Sequence, residues 1–286
     1  MMNRTTKWLT AAAFILLPMV SEAQTGNPRG IYKMITLTGK QGEIKAPFDQ
    51  YKICTDSITL MVSMQGKQFA FSNTDNRVFN YTGEEPDAND STSTRIFNSD
   101  ADHFTLKWWN TTPNHFYFPQ NDWCTEYYEA GQYSEHAKVL FDALTSPTAS
   151  DPQNPFVGTW RIVGMMDELR DTKQQLKKLR SNDRYTANSG NVIITPSYIV
   201  MYSNGRRGGS INRFTCMGKK KVMIGNTIAI SNLRGSNEHA ITWLDKDCFA
   251  MEVQLDGYRT DYEIWERVTD SSPLLNQIVS QFVPRR

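Results

Sequence analysis

Apolar and polar residues alternate with a period of two along much of the chain. Ile58, Leu60, Val62 and Met64 alternate with Thr59, Met61 and Ser63. Phe104, Leu106 and Trp108 alternate with Thr105 and Lys107, and Met251, Val253 and Leu255 with Glu252, Gln254 and Asp256. Successive side chains of a strand point to opposite faces, so this pattern predicts half-buried β-strands. Turn signals separate them at Gln65-Gly66-Lys67, Asn204-Gly205, Ile224-Gly225-Asn226 and Asp256-Gly257. Short strands at hairpin spacing, without interleaved helices, predict an antiparallel barrel or sandwich and not a βαβ sheet. Helical spacing occurs elsewhere: Asp167 to Arg180 carries Leu169, Leu176 and Leu179, and Glu135 to Leu144 matches Pro273 to Phe282 in its placing of apolar pairs.

The chain also repeats itself. Tyr51 to Ser63 and, 140 residues later, Asn191 to Ser203 share Ile, Thr, Ser, Met and Ser in register. At a spacing of 135, Trp108 falls on Trp243, Leu106 on Ile241, Phe116 and Phe118 on Met251 and Val253, and Thr125-Glu126-Tyr127 on Thr260-Asp261-Tyr262. The openings Gly30-Ile31-Tyr32-Lys33 and Gly158-Thr159-Trp160-Arg161 match at a spacing of 128. Spacing that changes only between segments is what loop insertions in a duplicated unit produce. One copy is therefore expected over 30–147, a link over 148–157 and a second copy over 158–286. The helix near 167–180 is then an insertion, and a short helix trails each copy.

Residues 1–23 read as a signal peptide. Arg4 and Lys7 precede an apolar run from Trp8 to Val20, and Ser21-Glu22-Ala23 supplies the small residues of a cleavage site. The run is about 13 residues, short of the roughly 20 that a spanning helix needs. The expectation is cleavage after Ala23 and a periplasmic or secreted mature chain without a transmembrane segment.

Gly158-Thr159-Trp160 opening a first strand, a meander of about eight strands, and the closing segment Asp261-Tyr262-Glu263-Ile264-Trp265-Glu266-Arg267 before a short helix resemble the lipocalin-like domains of uncharacterised exported proteins of Bacteroidota. The second copy carries the resemblance well and the first less closely, because Gly30-Ile31-Tyr32 lacks the tryptophan. The resemblance implies an all-β fold of two tandem antiparallel barrels of the calycin type, and a small apolar or amphipathic ligand. The family has no agreed activity. In related barrels the tryptophan packs under the barrel and plugs its closed end, which gives Trp160 a structural role.

Composition narrows the function classes. The chain has 286 residues with net charge +1, so no single-sign field points to nucleic acid. Its 39% apolar and 21% charged residues exclude collagen-like, disordered and multi-span classes. No nucleophile elbow, phosphate loop, His-Glu-x-x-His or Cys-x-x-Cys occurs, so no catalytic residue and no cofactor is assigned. Gly205-Arg206-Arg207-Gly208-Gly209 lacks the Lys-Ser/Thr of a phosphate loop and reads as a hairpin tip. His103, His115, His136 and His239 never come in ligand spacing, so no metal site is assigned. Asp90-Ser91-Thr92 and Asp56-Ser57-Ile58 fit the three-residue pattern for O-linked glycans that the resemblance implies.

Cys54, Cys124, Cys216 and Cys248 do not correspond between the copies, which favours buried free thiols over one bridge per domain, although export permits disulfides. Alternation and the resemblance assign Trp108, Phe116, Tyr202, Trp243 and Met251 to a ligand site in the barrels, with Met201 the alternative to Tyr202. Aromatics are dense from Trp108 to Tyr128. Those on the opposite strand face could stack on glycan rings, dock a protein, or pack against the trailing helix. Charge divides by half: residues 24–150 carry 10 Lys+Arg and 15 Asp+Glu, net −5, and residues 151–286 carry 19 and 14, net +5. Acidic and basic faces could then dock, within one chain or between chains.

Overall fold

The computed structural model describes residues 29–39, 42–46, 49–55, 58–71, 79–88, 90–99, 104–109, 115–120, 124–146, 151–181, 189–203, 208–225, 237–254, 260–269, 274–275 and 278. The expected signal segment lies outside them. The first half contains β1 (Gly30–Gly39), β2 (Gly42–Lys45), β3 (Asp49–Cys54), β4 (Ile58–Gln65), β5 (Gln68–Phe71), β6 (Phe79–Asp87), β7 (Asp90–Ser99), β8 (Phe104–Trp109), β9 (His115–Gln120), β10 (Cys124–Ala130) and helix α1 (Glu135–Thr145). The second contains β11 (Gly158–Met166), helix α2 (Thr172–Arg180), β12 (Ser189–Ile194), β13 (Tyr198–Ser203), β14 (Gly208–Cys216), β15 (Lys221–Ile224), β16 (Glu238–Asp245), β17 (Cys248–Gln254) and β18 (Thr260–Arg267). No helix among the described residues is long and apolar enough to cross a membrane.

In the second half each strand pairs antiparallel with the next, and β18 returns to β11, so eight strands close into a barrel. Closure gives every strand two neighbours and removes the unpaired sheet edge that invites association. In the first half β1 pairs with β3 and β10, β3 with β4, β4 with β6, and β6 to β10 pair in sequence. β2 and β5 are short hairpin partners of β1 and β4.

Matching ladders occur in the two halves. Gly30 faces Cys54 as Gly158 faces Ile194, and a bulge follows Met34 in β1 as one follows Ile162 in β11. The ladders differ from the sequence reading near the end of each half. Trp108 faces Phe116 and Trp243 faces Phe249, so Phe116 corresponds to Phe249, two residues from Met251. Likewise Met34 faces Tyr128 and Ile162 faces Trp265, so Tyr128 corresponds to Trp265 and not to Glu263. The β16–β17 connection is shorter than the β8–β9 one, and a shift of two leaves each residue on its face.

The two halves share one apolar core. Tyr51, Ile53, Leu60, Val62, Phe69 and Phe71 of the first half meet Ile193, Tyr198, Val200, Tyr202 and Ile211 of the second. Helix α1 lies between them. Ala137, Leu140 and Leu144 recur at helical spacing on its buried face, and Ser134 caps it by accepting from the Ala137 amide at 3.2 Å. Leu274 and Ile278, both helical and buried, join the same cluster.

Backbone pairing links the halves too, because β14 runs beside β5 with Gly209 opposite Phe69. A side chain at Gly209 would run into the Met201 carbonyl, so only glycine lets β14 sit between β5 and β13. Gly208 and Gly209 thus belong to a strand, and Arg206 and Arg207 lie outside the described residues. Charge has a small part in this contact. Glu135 receives the Tyr198 hydroxyl and an Arg213 guanidinium at 3.1 Å, which together hold its carboxyl below the usual range. The described basic clusters, Lys219 to Lys221 and Lys177-Lys178, are exposed.

Candidate functional site

Strand register fixes which side chains face the barrel interior. Antiparallel partners share a face. The buried cluster of Phe156, Trp160, Val192, Ile194, Ile199, Phe214, Val222, Ile241, Phe249, Met251 and Trp265 draws on all eight strands and is the interior. Their partners point inward with them: Ser210 opposite Met201, Asn212 opposite Ile199, His239 opposite Val222, Glu263 opposite Met251 and Asp261 opposite Val253.

One end of this interior is filled by aromatic rings. Trp160, Phe249 and Trp265 are at most 2% exposed, and Phe156 enters from the preceding segment to lie 5.2 Å from Trp243, 5.5 Å from Phe249 and 6.0 Å from Phe214, centroid to centroid. Trp160 donates from its indole to the Phe156 carbonyl at 2.6 Å. The Arg267 guanidinium lies 4.2 Å over the Trp160 ring and donates to the Val157 and Pro155 carbonyls at 2.9 and 2.6 Å. It therefore ties the 155–157 segment across the barrel end by charge-assisted bonds. Gly158 sits at φ +143°, and a side chain there would strike this guanidinium. The segment expected as a link thus contributes the plug.

The other end differs. Met201, Ile224 and Val253 face inward yet are only partly buried, as are Ser210, Asn212 and His239. Short turns connect the strands at the packed end, whereas β11, β13, β15 and β17 end at this one. At this end, partly buried apolar side chains stand above the aromatic floor. Where β11 leaves the barrel, a cleft of about 480 Å³ lies at the rim, lined by Met165, Met166, Asp167, Glu168, Gln175, Lys178 and Leu179. Helix α2 forms its outer wall. It packs through Leu176, with Leu169 and Leu179 beside it, on the outer face made by Val163, Met166, Cys248, Ala250 and Ile264.

Two carboxylates face the interior from β18. Burial pushes the Glu263 carboxyl up, partly offset by the Trp265 indole that donates to its Oε2 at 3.0 Å. Asp261 is 5% exposed. His239 donates from Nδ1 to the Glu252 carbonyl at 3.0 Å, because a carbonyl only accepts. On the outer face of the same strand, Glu266 is paired with two arginines, Arg161 at 3.1 Å and Arg180 of α2. Among the described residues no group of three or more His, Cys, Asp or Glu could hold a metal ion.

Of the residues assigned from sequence, Trp243 and Met251 share this interior, Trp243 in the floor and Met251 above it. Tyr202 points the other way, into the core between the halves, 6.0 Å from Phe71, and Met201 takes the inward position. The side chains of Trp108 and Phe116 lie outside the described residues, as do Asp56, Ser57 and the side chains of Asp90 to Thr92. Sequence reasoning missed Glu263, Asp261 and His239 as inward groups.

Cys54, Cys216 and Cys248 are free thiols, and the Cys124 side chain lies outside the described residues. Burial pushes Cys54 and Cys248 up to about 12, so neither holds a useful thiolate fraction at neutral pH. Cys216 is partly exposed. Brief iodoacetamide labelling of the native protein, read by peptide mass spectrometry, should modify Cys216 and spare Cys54 and Cys248 until denaturant is added. Equal labelling of all three would contradict this packing. Comparison with protein-family models and with curated proteins gives no match for the chain.

Proposed function

We propose that the protein is an exported binding protein that holds a small apolar or amphipathic ligand in the open part of its C-terminal barrel. The observation that supports this most is the gradient along the barrel axis, from the aromatic floor at Trp160 and Phe249 to the partly buried inward ring of Met201, Ile224 and Val253. A barrel with a purely structural interior has no need of accessible apolar side chains on its inner face.

The reading extends to two tandem lipocalin-like barrels. The ring of pairings from β1 through β3, β4 and β6 to β10 supports it, as do the shared bulge and the buried aromatics at corresponding positions, Tyr32 with Trp160 and Tyr128 with Trp265. Each half also stacks a cation on one of these rings. Lys52 lies 4.6 Å over Tyr128 in the first, and Arg267 over Trp160 in the second.

Titration with a neutral lipophilic fluorophore tests the reading. One probe should bind per chain, and Ser210→Trp, which fills the inner face beside Met201, should weaken binding at least about tenfold, as an occluded pocket requires. Thr242→Trp, on the exposed outer face, should leave binding unchanged. A folded protein that binds none of several such probes would favour a glycan-binding or protein-docking module.

A further inference from the structure

Resting on that reading, we propose that the pocket selects an amphipathic amine, whose ammonium head meets the Glu263 carboxylate while its apolar tail lies along Met201, Ile224 and Val253. Register places Glu263 inward between Met251 and Met165. Its Oε2 accepts the Trp265 indole, and no lysine or arginine among the described residues approaches the carboxylate. A carboxylate withdrawn from water is costly unless a cation or several donors compensate it.

The same strand shows how this fold compensates an acid when no ligand is needed. Glu266, on the outer face, has Arg161 and Arg180. Among the described residues, the inward guanidinium of Arg267 is engaged at the floor with Val157, Pro155, Asp247 and the Trp160 ring. Asp261 adds a second acid on the inner face two residues before Glu263. The basic clusters Lys177-Lys178 and Lys219 to Lys221 are on the outside. Among the described residues no cation stands beside Glu263 above the apolar wall, so a ligand that carries one gains from its charge there. A protonated amine supplies it and donates to Oε1, a charge-assisted bond that a neutral head cannot match.

Displacement of a bound neutral fluorophore by decylamine, decanol and decanoate, each below its micelle-forming concentration at neutral pH, separates tail from head. The amine should displace the probe at a concentration at least about tenfold below the alcohol, with the carboxylate weakest. Glu263→Gln, which keeps an acceptor for the Trp265 indole, should erase the advantage of the amine and leave the alcohol unchanged. Equal displacement by amine and alcohol in the unmodified protein overturns the proposal while leaving the pocket intact, and needs no variant. An amine preference that survives Glu263→Gln overturns the role of Glu263. Failure of all three compounds and of the fluorophore itself overturns the pocket, and the proposal with it.

Discussion

Phe156→Ala should destabilise the protein by about 3–5 kcal/mol, the usual cost of truncating a large buried aromatic. Phe156 is fully buried and touches Trp243, Phe249 and Phe214, while its carbonyl takes the Trp160 indole. Truncation leaves a cavity against rings that cannot collapse, because the Arg267 guanidinium holds the chain at 155 and 157. Gln153→Ala, three residues earlier and exposed, should change stability by less than about 0.5 kcal/mol. Denaturant titration of the two variants decides between a plug and a passive connection. A loss below about 1 kcal/mol for Phe156→Ala would mean the segment is only a tether.

That contrast marks a limit of reading the sequence. Ser146 to Pro155 is rich in proline and polar residues, the composition of a loop, and its described residues 151–154 form neither helix nor strand. The burial of Phe156 and Val157 depends on Arg267, more than a hundred residues away, which no local pattern encodes. Where one strand face is covered and the other wet, the pattern was legible. Helix α1 begins at the predicted Glu135 and ends one residue past Leu144, since its apolar stripe and serine cap are both local. Helix α2 falls inside the expected 167–180 because its leucine spacing is local too, although no side chain caps its start.

Parity failed where both faces are covered. Tyr198 to Val200 and Tyr202 are all buried, with β13 between the barrel interior and the core shared by the halves, so alternation could not decide between Met201 and Tyr202. β18 has the same ambiguity in sharper form. Helix α2 covers Ile264 on its outer face and Trp265 is buried on its inner face, so a rule that sends acids outward misplaces Glu263 and Asp261. The visible clue was Trp265 itself, which shares parity with both acids.

Leu140→Ala should cost about 2–5 kcal/mol, and both halves should lose stability together in a single transition. Leu140 is fully buried in the cluster that joins α1, β3 to β5 and β12 to β14. Its removal therefore opens a cavity against side chains from both sides of the repeat. Two independent units on a tether would respond differently: one half would unfold early and the other would keep its midpoint. Removing the polar contact by Arg213→Ala should have a small effect that fades in high salt, because both partners are exposed and salt of about 1 M shortens the screening length to about 3 Å. The apolar contact should not fade. If high salt separates two transitions in the unmodified protein, charge and not the shared core holds the halves together, and the opposite net charges of −5 and +5 are the interface that they suggest on paper.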